Sequence, residues 1–148
     1  MYLVVIKGSY RKKGSTNSLL DSLIDGFKKQ NPKATVEIID LIDNPLEFCE
    51  GCRHCCTTDK NAPLGKCIKK DGMHLILQKL LKADRVVLAS PIYFGTVTSL
   101  MKRFIERGIA LGYYDFHAVP YNRNKIDKTK KGVSLVCSGC PAPINWLF

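Results

Sequence analysis

The sequence predicts an α/β domain built on a mainly parallel sheet with helices on both faces. Two observations carry that prediction. First, "YLVVIKG" and "RVVLASP" are nearly continuous apolar runs without apolar–polar alternation, the pattern of strands buried on both sides. Second, the segments between such runs carry apolar residues at helical spacing, so strands and helices alternate. Right-handed crossovers then distribute the helices over both faces. At 148 residues the chain fits one domain with a single core, residues 1–148, carrying a cysteine-rich insertion at 44–70.

Each element follows in order. Tyr2–Gly8 is the first strand. In "STNSLLDSLIDGFKKQ", Leu19, Leu20, Leu23, Ile24 and Phe27 form a helical stripe, and Lys28 and Lys29 suit the last turn of a helix. Asn31–Pro32 stops it. Ala34–Leu41 is the second strand. "DGMHLILQKLLKAD" is the second helix, with Asp71 as N-cap and Ile76, Leu77, Leu80 and Leu81 apolar. Arg85–Pro91 is the third strand, ended by proline. "TVTSLMKRFIERGI" is the third helix, with Val97, Leu100, Met101, Phe104, Ile105 and Ile109 in one stripe. A tyrosine-rich, charged loop covers Gly112 to Lys131, and Gly132–Ser138 is the fourth strand. Only "GCPAPINWLF" follows, and Trp146, Leu147 and Phe148 read as the start of a buried element cut short.

Composition narrows the classes. Hydrophobic residues make up 45% and charged residues 24%, ordinary for a globular protein. No apolar run approaches the ~18 residues that span a bilayer, so no membrane partner is expected. "MYLVVIKGSY" has too short an apolar stretch and no basic leader for a signal peptide, which places the protein in the cytoplasm. The formal net charge is +10. Its lysines and arginines are spread as pairs, from Lys12–Lys13 to Lys130–Lys131, rather than gathered in a basic arm. That spread fits a solvated surface or attraction of anionic small molecules, and no nucleic-acid partner is expected.

Two loops carry the first chemical signal. "GSYRKKGSTNS" (Gly8–Ser18) leaves the carboxyl end of a parallel strand and enters a helix, the place where ligands bind in open α/β sheets. Ser9, Arg11, Ser15 and Thr16 with the free N–H groups of the helix N-terminus make an anion cradle suited to phosphate. The plainer alternative is that Ser15 or Thr16 merely caps the helix. The loop has neither the P-loop pattern nor GxGxxG. "SPIYFGTVTS" (Ser90–Ser99) falls on the same edge. There Tyr93 and Phe94 offer flat apolar surface and Gly95 permits close approach to the main chain. The alternative is an ordinary strand-to-helix turn with Thr96 as cap.

"GSYRKKGSTNSLL", "CEGCRHCC…GKCIKKDGM" and "SPIYFGTVTSLMKRFIER", in this order, resemble the NADPH-dependent FMN reductase family of flavodoxin-like proteins, and within it the iron–sulfur flavoprotein branch. The resemblance implies a flavodoxin-like doubly wound parallel sheet in order 2-1-3-4-5, with the last strand and helix missing from this chain. It implies FMN as cofactor, NAD(P)H as co-substrate or a reduced carrier as donor, and a homodimer or homotetramer. Carried over by motif, Ser9, Arg11, Ser15, Thr16 and Asn17 surround the FMN phosphate. Pro91, Ile92, Tyr93, Phe94 and Gly95 border the ribityl chain and ring, and Cys137, Ser138 and Gly139 line the ring's other side. No side-chain triad is evident, and hydride transfer to a flavin needs none. His54, His74 and His117 are isolated and read as surface or structural residues.

The loop "FCEGCRHCCTTDKNAPLGKC" holds five of the seven cysteines. In a reducing compartment such a cluster points to metal or redox chemistry before disulfides. Cys49, Cys52 and Cys55 form a CxxCxxC run, and with Cys67 they supply the four thiolates of a [4Fe–4S] cluster. Eleven residues separate Cys55 from Cys67, a longer gap than in the iron–sulfur flavoproteins the chain resembles. Cys56 is a possible substitute ligand. A metal-free loop and a Cys₄ zinc site stay open. Cys137-x2-Cys140 is a further CxxC, but Pro141 and Pro143 leave no thioredoxin-like helix start. The main expectation is an FMN-dependent oxidoreductase with a cluster. The alternatives are an FMN-only reductase, a non-enzymatic flavin electron carrier and a basic zinc-binding module.

Overall fold

A computed structural model describes residues 1–56, 66–111 and 129–139. Its centre is strand β1 (Tyr2–Lys7), flanked in parallel by β2 (Thr35–Asp40) and β3 (Arg85–Tyr93). A two-residue strand β4 (Thr96–Val97) pairs antiparallel with the end of β3, and β5 (Lys131–Cys137) pairs parallel along its length. The long parallel strands therefore run β2-β1-β3-β5. This is the flavodoxin-like order expected from the sequence, with Lys131–Cys137 in the fourth place.

The double burial of β1 explains its unbroken apolar run. Val4 and Ile6 face one core, against Met73, Ile76 and Leu77 of helix α2 (Met73–Lys82) and Met101 and Phe104 of helix α3 (Ser99–Arg107). Leu3 and Val5 face the other, against Leu20 and Ile24 of helix α1 (Ser15–Gln30). Alternate side chains of a strand point to opposite faces, so both must be apolar when helices cover both.

Several boundaries differ from the sequence reading. Leu19, placed in the apolar stripe of α1, is exposed, and Thr16 is buried in its stead. Asp71 lies one residue before the N-cap of α2, which is Gly72, although its carboxylate still accepts from the Met73 N–H at 3.1 Å. The third helix starts three residues later than expected, because Thr96 and Val97 pair with β3 and Thr98 is the cap. It ends in a 3-10 turn, Gly108–Leu111. The tyrosine-rich loop from 112 to 128, the insertion 57–65 and the terminal stretch 140–148, with Cys140 and Trp146, lie outside the described residues. Among the described residues no helix is long and apolar enough to cross a membrane.

Candidate functional site

Parallel strands deliver their carboxyl ends to one edge, and three loops meet there. The first begins at Gly8, whose N–H donates to the carbonyl of Ala89 at 2.8 Å. A Cβ at Gly8 would come within 2.7 Å of Met101 Cβ, so only glycine lets α3 pack this closely against the end of β1. Beyond it Ser9 is buried, and its Oγ accepts from the Arg11 N–H at 3.2 Å. Arg11 and Ser15 are exposed, Thr16 is buried and Asn17 half-buried.

Helix α1 starts after Gly14 with no side-chain cap, which removes the reading of Ser15 or Thr16 as a mere cap. The Asn17 and Ser18 N–H groups donate to the Gly14 carbonyl at 3.0 and 3.1 Å. Those of Ser15 and Thr16 have no partner among the described residues. Two free N–H groups at the positive end of a 16-residue helix form a site that fits a phosphate. Asn17 braces this loop from within: its Nδ2 donates to the Arg11 carbonyl at 3.3 Å and to the Lys12 carbonyl, while its Oδ1 is buried without a partner.

The second loop is a tight hairpin rather than a simple strand-to-helix turn. Ile92 pairs with Val97 and Tyr93 with Thr96, leaving Phe94 and Gly95 as a two-residue turn. Both have positive φ, 49° and 76°, the requirement of a type I′ turn. Phe94 is fully exposed at the tip, Tyr93 is exposed, and Pro91 and Ile92 are half-buried. The strain of a left-handed phenylalanine thus presents an aromatic ring to solvent at the carboxyl edge.

Two contacts lock the loops together. Thr98, 1% exposed, donates its Oγ1 to the Gly8 carbonyl at 2.5 Å and accepts from the Met101 N–H at 3.2 Å. The Tyr10 hydroxyl lies 2.5 Å from Ser99 Oγ. The third loop joins them through register: Cys137 at the end of β5 pairs with Pro91. Cys137 is half-buried, and Ser138 and Gly139 are exposed.

The cysteine loop leaves the carboxyl end of β2 and packs on α3. Cys49 and Cys52 are exposed, while Cys55, Cys56 and Cys67 are half-buried. All six described cysteines are free thiols. Burial, reinforced by the neighbouring Cys56 and Cys67, pushes the Cys55 thiol up to about 11. Cys55 therefore packs against the core, with the Cys56 and Cys67 thiols near enough to act on it. Among the described residues no three His, Cys, Asp or Glu side chains are gathered as a ready metal site. Four loop thiols have the donor chemistry of a cluster, but Cys49 and Cys52 are exposed and the four are not gathered as a site.

Two arginines of α3 hold this loop, and the sequence reading passed over both. Arg103 Nη1 donates to the Leu46 carbonyl at 2.8 Å, and its guanidinium lies 3.9 Å from the Phe48 ring centroid. Arg107, 2% exposed, pairs with Asp71, donates to the Glu47 carbonyl at 3.3 Å and reaches Cys67 Sγ at 3.2 Å. The available signal was a basic pair at i, i+4 spacing on a helix that faces the core with Phe104. On the outside of the loop, Lys69 pairs with Glu47 at 3.0 Å and Glu50 at 2.5 Å.

The sequence profile of NADPH-dependent FMN reductases matches residues 1–132. Two iron–sulfur flavoproteins of Archaeoglobus fulgidus are similar: one is 36% identical over 72% of this chain and 48% of its own length, the other 31% identical over 92% and 54%. The chain thus spans about half the length of these relatives. Among solved structures, the NAD(P)H:quinone oxidoreductase from Methanothermobacter marburgensis superposes with a TM-score of 0.67 at 16% identity, over 96% of this chain and 70% of the other. The azoreductase AzrA does so with a TM-score of 0.65 at 19% identity, over 98% and 75%. These two show the fold.

Proposed function

This chain belongs to the NADPH-dependent FMN reductase family, and we propose that it binds FMN across the three loops of the carboxyl edge and acts as an FMN-dependent oxidoreductase. It moves electrons between NAD(P)H, or a reduced carrier, and an acceptor. The observation that carries this reading is the pair of N–H groups at Ser15 and Thr16 that have no partner among the described residues. They lie on the loop that two hydrogen bonds lock to the Pro91–Gly95 loop.

FMN, when bound, supplies the hydride-accepting and electron-passing chemistry. The chain supplies position. Ser9, Arg11, Ser15 and Thr16 hold the phosphate, with Asn17 keeping the loop in shape. Pro91, Ile92, Tyr93, Phe94 and Gly95 border the ribityl chain and ring, with Tyr93 and Phe94 excluding water from one side. Cys137, Ser138 and Gly139 line the other side.

A second redox centre is favoured by one specific contact, the Arg107 N–H on Cys67, together with the name of the similar iron–sulfur flavoproteins. In this reading Cys49, Cys52, Cys55 and Cys67 ligate a [4Fe–4S] cluster, with Cys56 as substitute, and Cys49 and Cys52 are drawn inward on binding. The working form is a cytoplasmic homodimer or homotetramer.

An anaerobic absorbance spectrum of the purified protein, with flavin, iron, sulfide and zinc quantified, tests both. Flavin with iron and sulfide supports the full reading. Flavin bands alone leave an FMN-only enzyme, and absence of flavin after reconstitution with FMN overturns the proposal. Turnover with NADPH and a quinone separates an enzyme from an electron carrier.

A further inference from the structure

We infer that Ser90 is a positioning residue of the flavin site: its buried hydroxyl closes the base of the Pro91–Gly95 hairpin and holds that loop in the shape that receives the ring. The inference rests on the FMN reading above.

The β3–β4 ladder pairs Ile92 with Val97 and Tyr93 with Thr96. The next place in that register falls to Pro91 and Thr98. Proline has no N–H to give there. The Ser90 hydroxyl fills the place instead. It accepts from the Thr98 N–H at 3.2 Å and donates to the Pro91 carbonyl at 2.9 Å. One hydroxyl can do both, because it has one donor and two acceptor sites. Ser90 and Thr98 are each 1% exposed, so neither group has water as a substitute partner.

The bridge sits where a loss of shape would be felt. Beyond it the hairpin carries Phe94 in a left-handed backbone, φ 49°. That strain persists only while the surrounding structure enforces it. Two ladder pairs are a short clamp, and the Ser90 bridge extends it by one place. Pro91 is also in register with Cys137, so the same bridge fixes the strand end from which the third loop departs. With the hydroxyl gone the hairpin opens at its base, and flavin binding must close it again at a cost in affinity.

The test titrates Ser90→Ala and the wild type with FMN and with riboflavin, well below the melting temperature of each. Thr98 keeps its own bonds to Gly8 and Met101 in the variant, so the phosphate loop stays in place. Both flavins should therefore lose affinity by the same factor, about tenfold, the scale of one buried N–H left unpaired. The visible spectrum of the bound flavin should shift as well, which a loss of global stability alone would not produce. A folded variant that keeps the wild-type affinities or the wild-type bound spectrum overturns the inference and leaves the FMN reading standing. So does a loss confined to FMN, which would place the effect at the phosphate. A wild-type protein that binds neither flavin overturns both. If the variant does not fold, hydrogen exchange on the wild type decides. With riboflavin about tenfold above its dissociation constant, exchange of the Thr98 N–H should slow by about tenfold, and unchanged exchange overturns the inference.

Discussion

Thr98 donates its hydroxyl to the carbonyl of Gly8 across 90 residues of sequence, at 2.5 Å in a fully buried setting. The same oxygen caps α3 by accepting from Met101. One side chain thus joins the loop after β1 to the loop after β3. Thr98→Val keeps the shape and removes both bonds. It leaves the Gly8 carbonyl unpaired and the helix uncapped, so unfolding free energy should drop by about 2 kcal/mol. Urea denaturation checks this, with Thr98→Ser expected near the wild type. A Val variant as stable as the wild type would contradict the coupling.

Arg11 is exposed beside the free end of α1. Arg11→Ala should raise the FMN dissociation constant about tenfold, the scale of one charge-assisted hydrogen bond. Flavin fluorescence quenching at several salt concentrations is the measurement. Unchanged affinity would remove Arg11 from the phosphate site.

Phe94 holds a left-handed backbone, φ 49°, with its ring in solvent. Asparagine tolerates that conformation far better than phenylalanine. Phe94→Asn should therefore stabilise the FMN-free fold by about 1 kcal/mol while weakening FMN binding. A thermal melt and a flavin titration on the same variant separate the two effects. Loss of stability without loss of affinity would mean that the ring packs in the fold rather than serving the ligand.

Burial alone would push the Asp71 carboxyl up. Hydrogen bonds from Arg107 and from the Glu47 and Met73 N–H groups outweigh burial and hold its pKa below the usual carboxylate value. A carboxyl depressed in the folded state contributes its full stability above the unfolded pKa, about 4. That contribution is lost as pH falls through the folded value. Stability should decline with acid below about pH 5, and Asp71→Asn should flatten that limb while lowering stability at neutral pH. Parallel denaturation curves across this range decide it.

Much of this architecture was legible because it is local. The helix Ser15–Gln30 spans the same residues in sequence and structure, since its stripe, its last-turn lysines and its Asn31–Pro32 stop are all neighbours in the chain, although its cap is Gly14 and not Ser15 or Thr16. The third strand ran two residues past its expected end. Proline lacks a donor but fits a strand position where none is needed, and Pro91 stays in register with Cys137. The third helix was expected to begin at Thr96, with Thr96 as cap only in the alternative reading, and the real cap is Thr98, because the intervening hairpin depends on Phe94 accepting a left-handed turn that its residue type argues against. Arg107 was invisible for another reason. Its partners Asp71, Cys67 and the Glu47 carbonyl lie 36, 40 and 60 residues away, and no local pattern encodes such a meeting.

Helix α3 has Thr98 and Ser99 at one end and Arg107 at the other. At 1.5 Å per residue the span from Thr98 to Arg107 is about 14 Å, so the helix works as a ruler between the loops of the carboxyl edge and the cysteine loop. It is also a phase gauge. One residue inserted within it would rotate Arg103 and Arg107 by about 100° about the axis, away from Leu46, Asp71 and Cys67, while the cap at Thr98 stayed in place. The spacing between the two ends is thus fixed in both distance and angle by nine consecutive residues, and that segment tolerates substitution far more readily than a change of length.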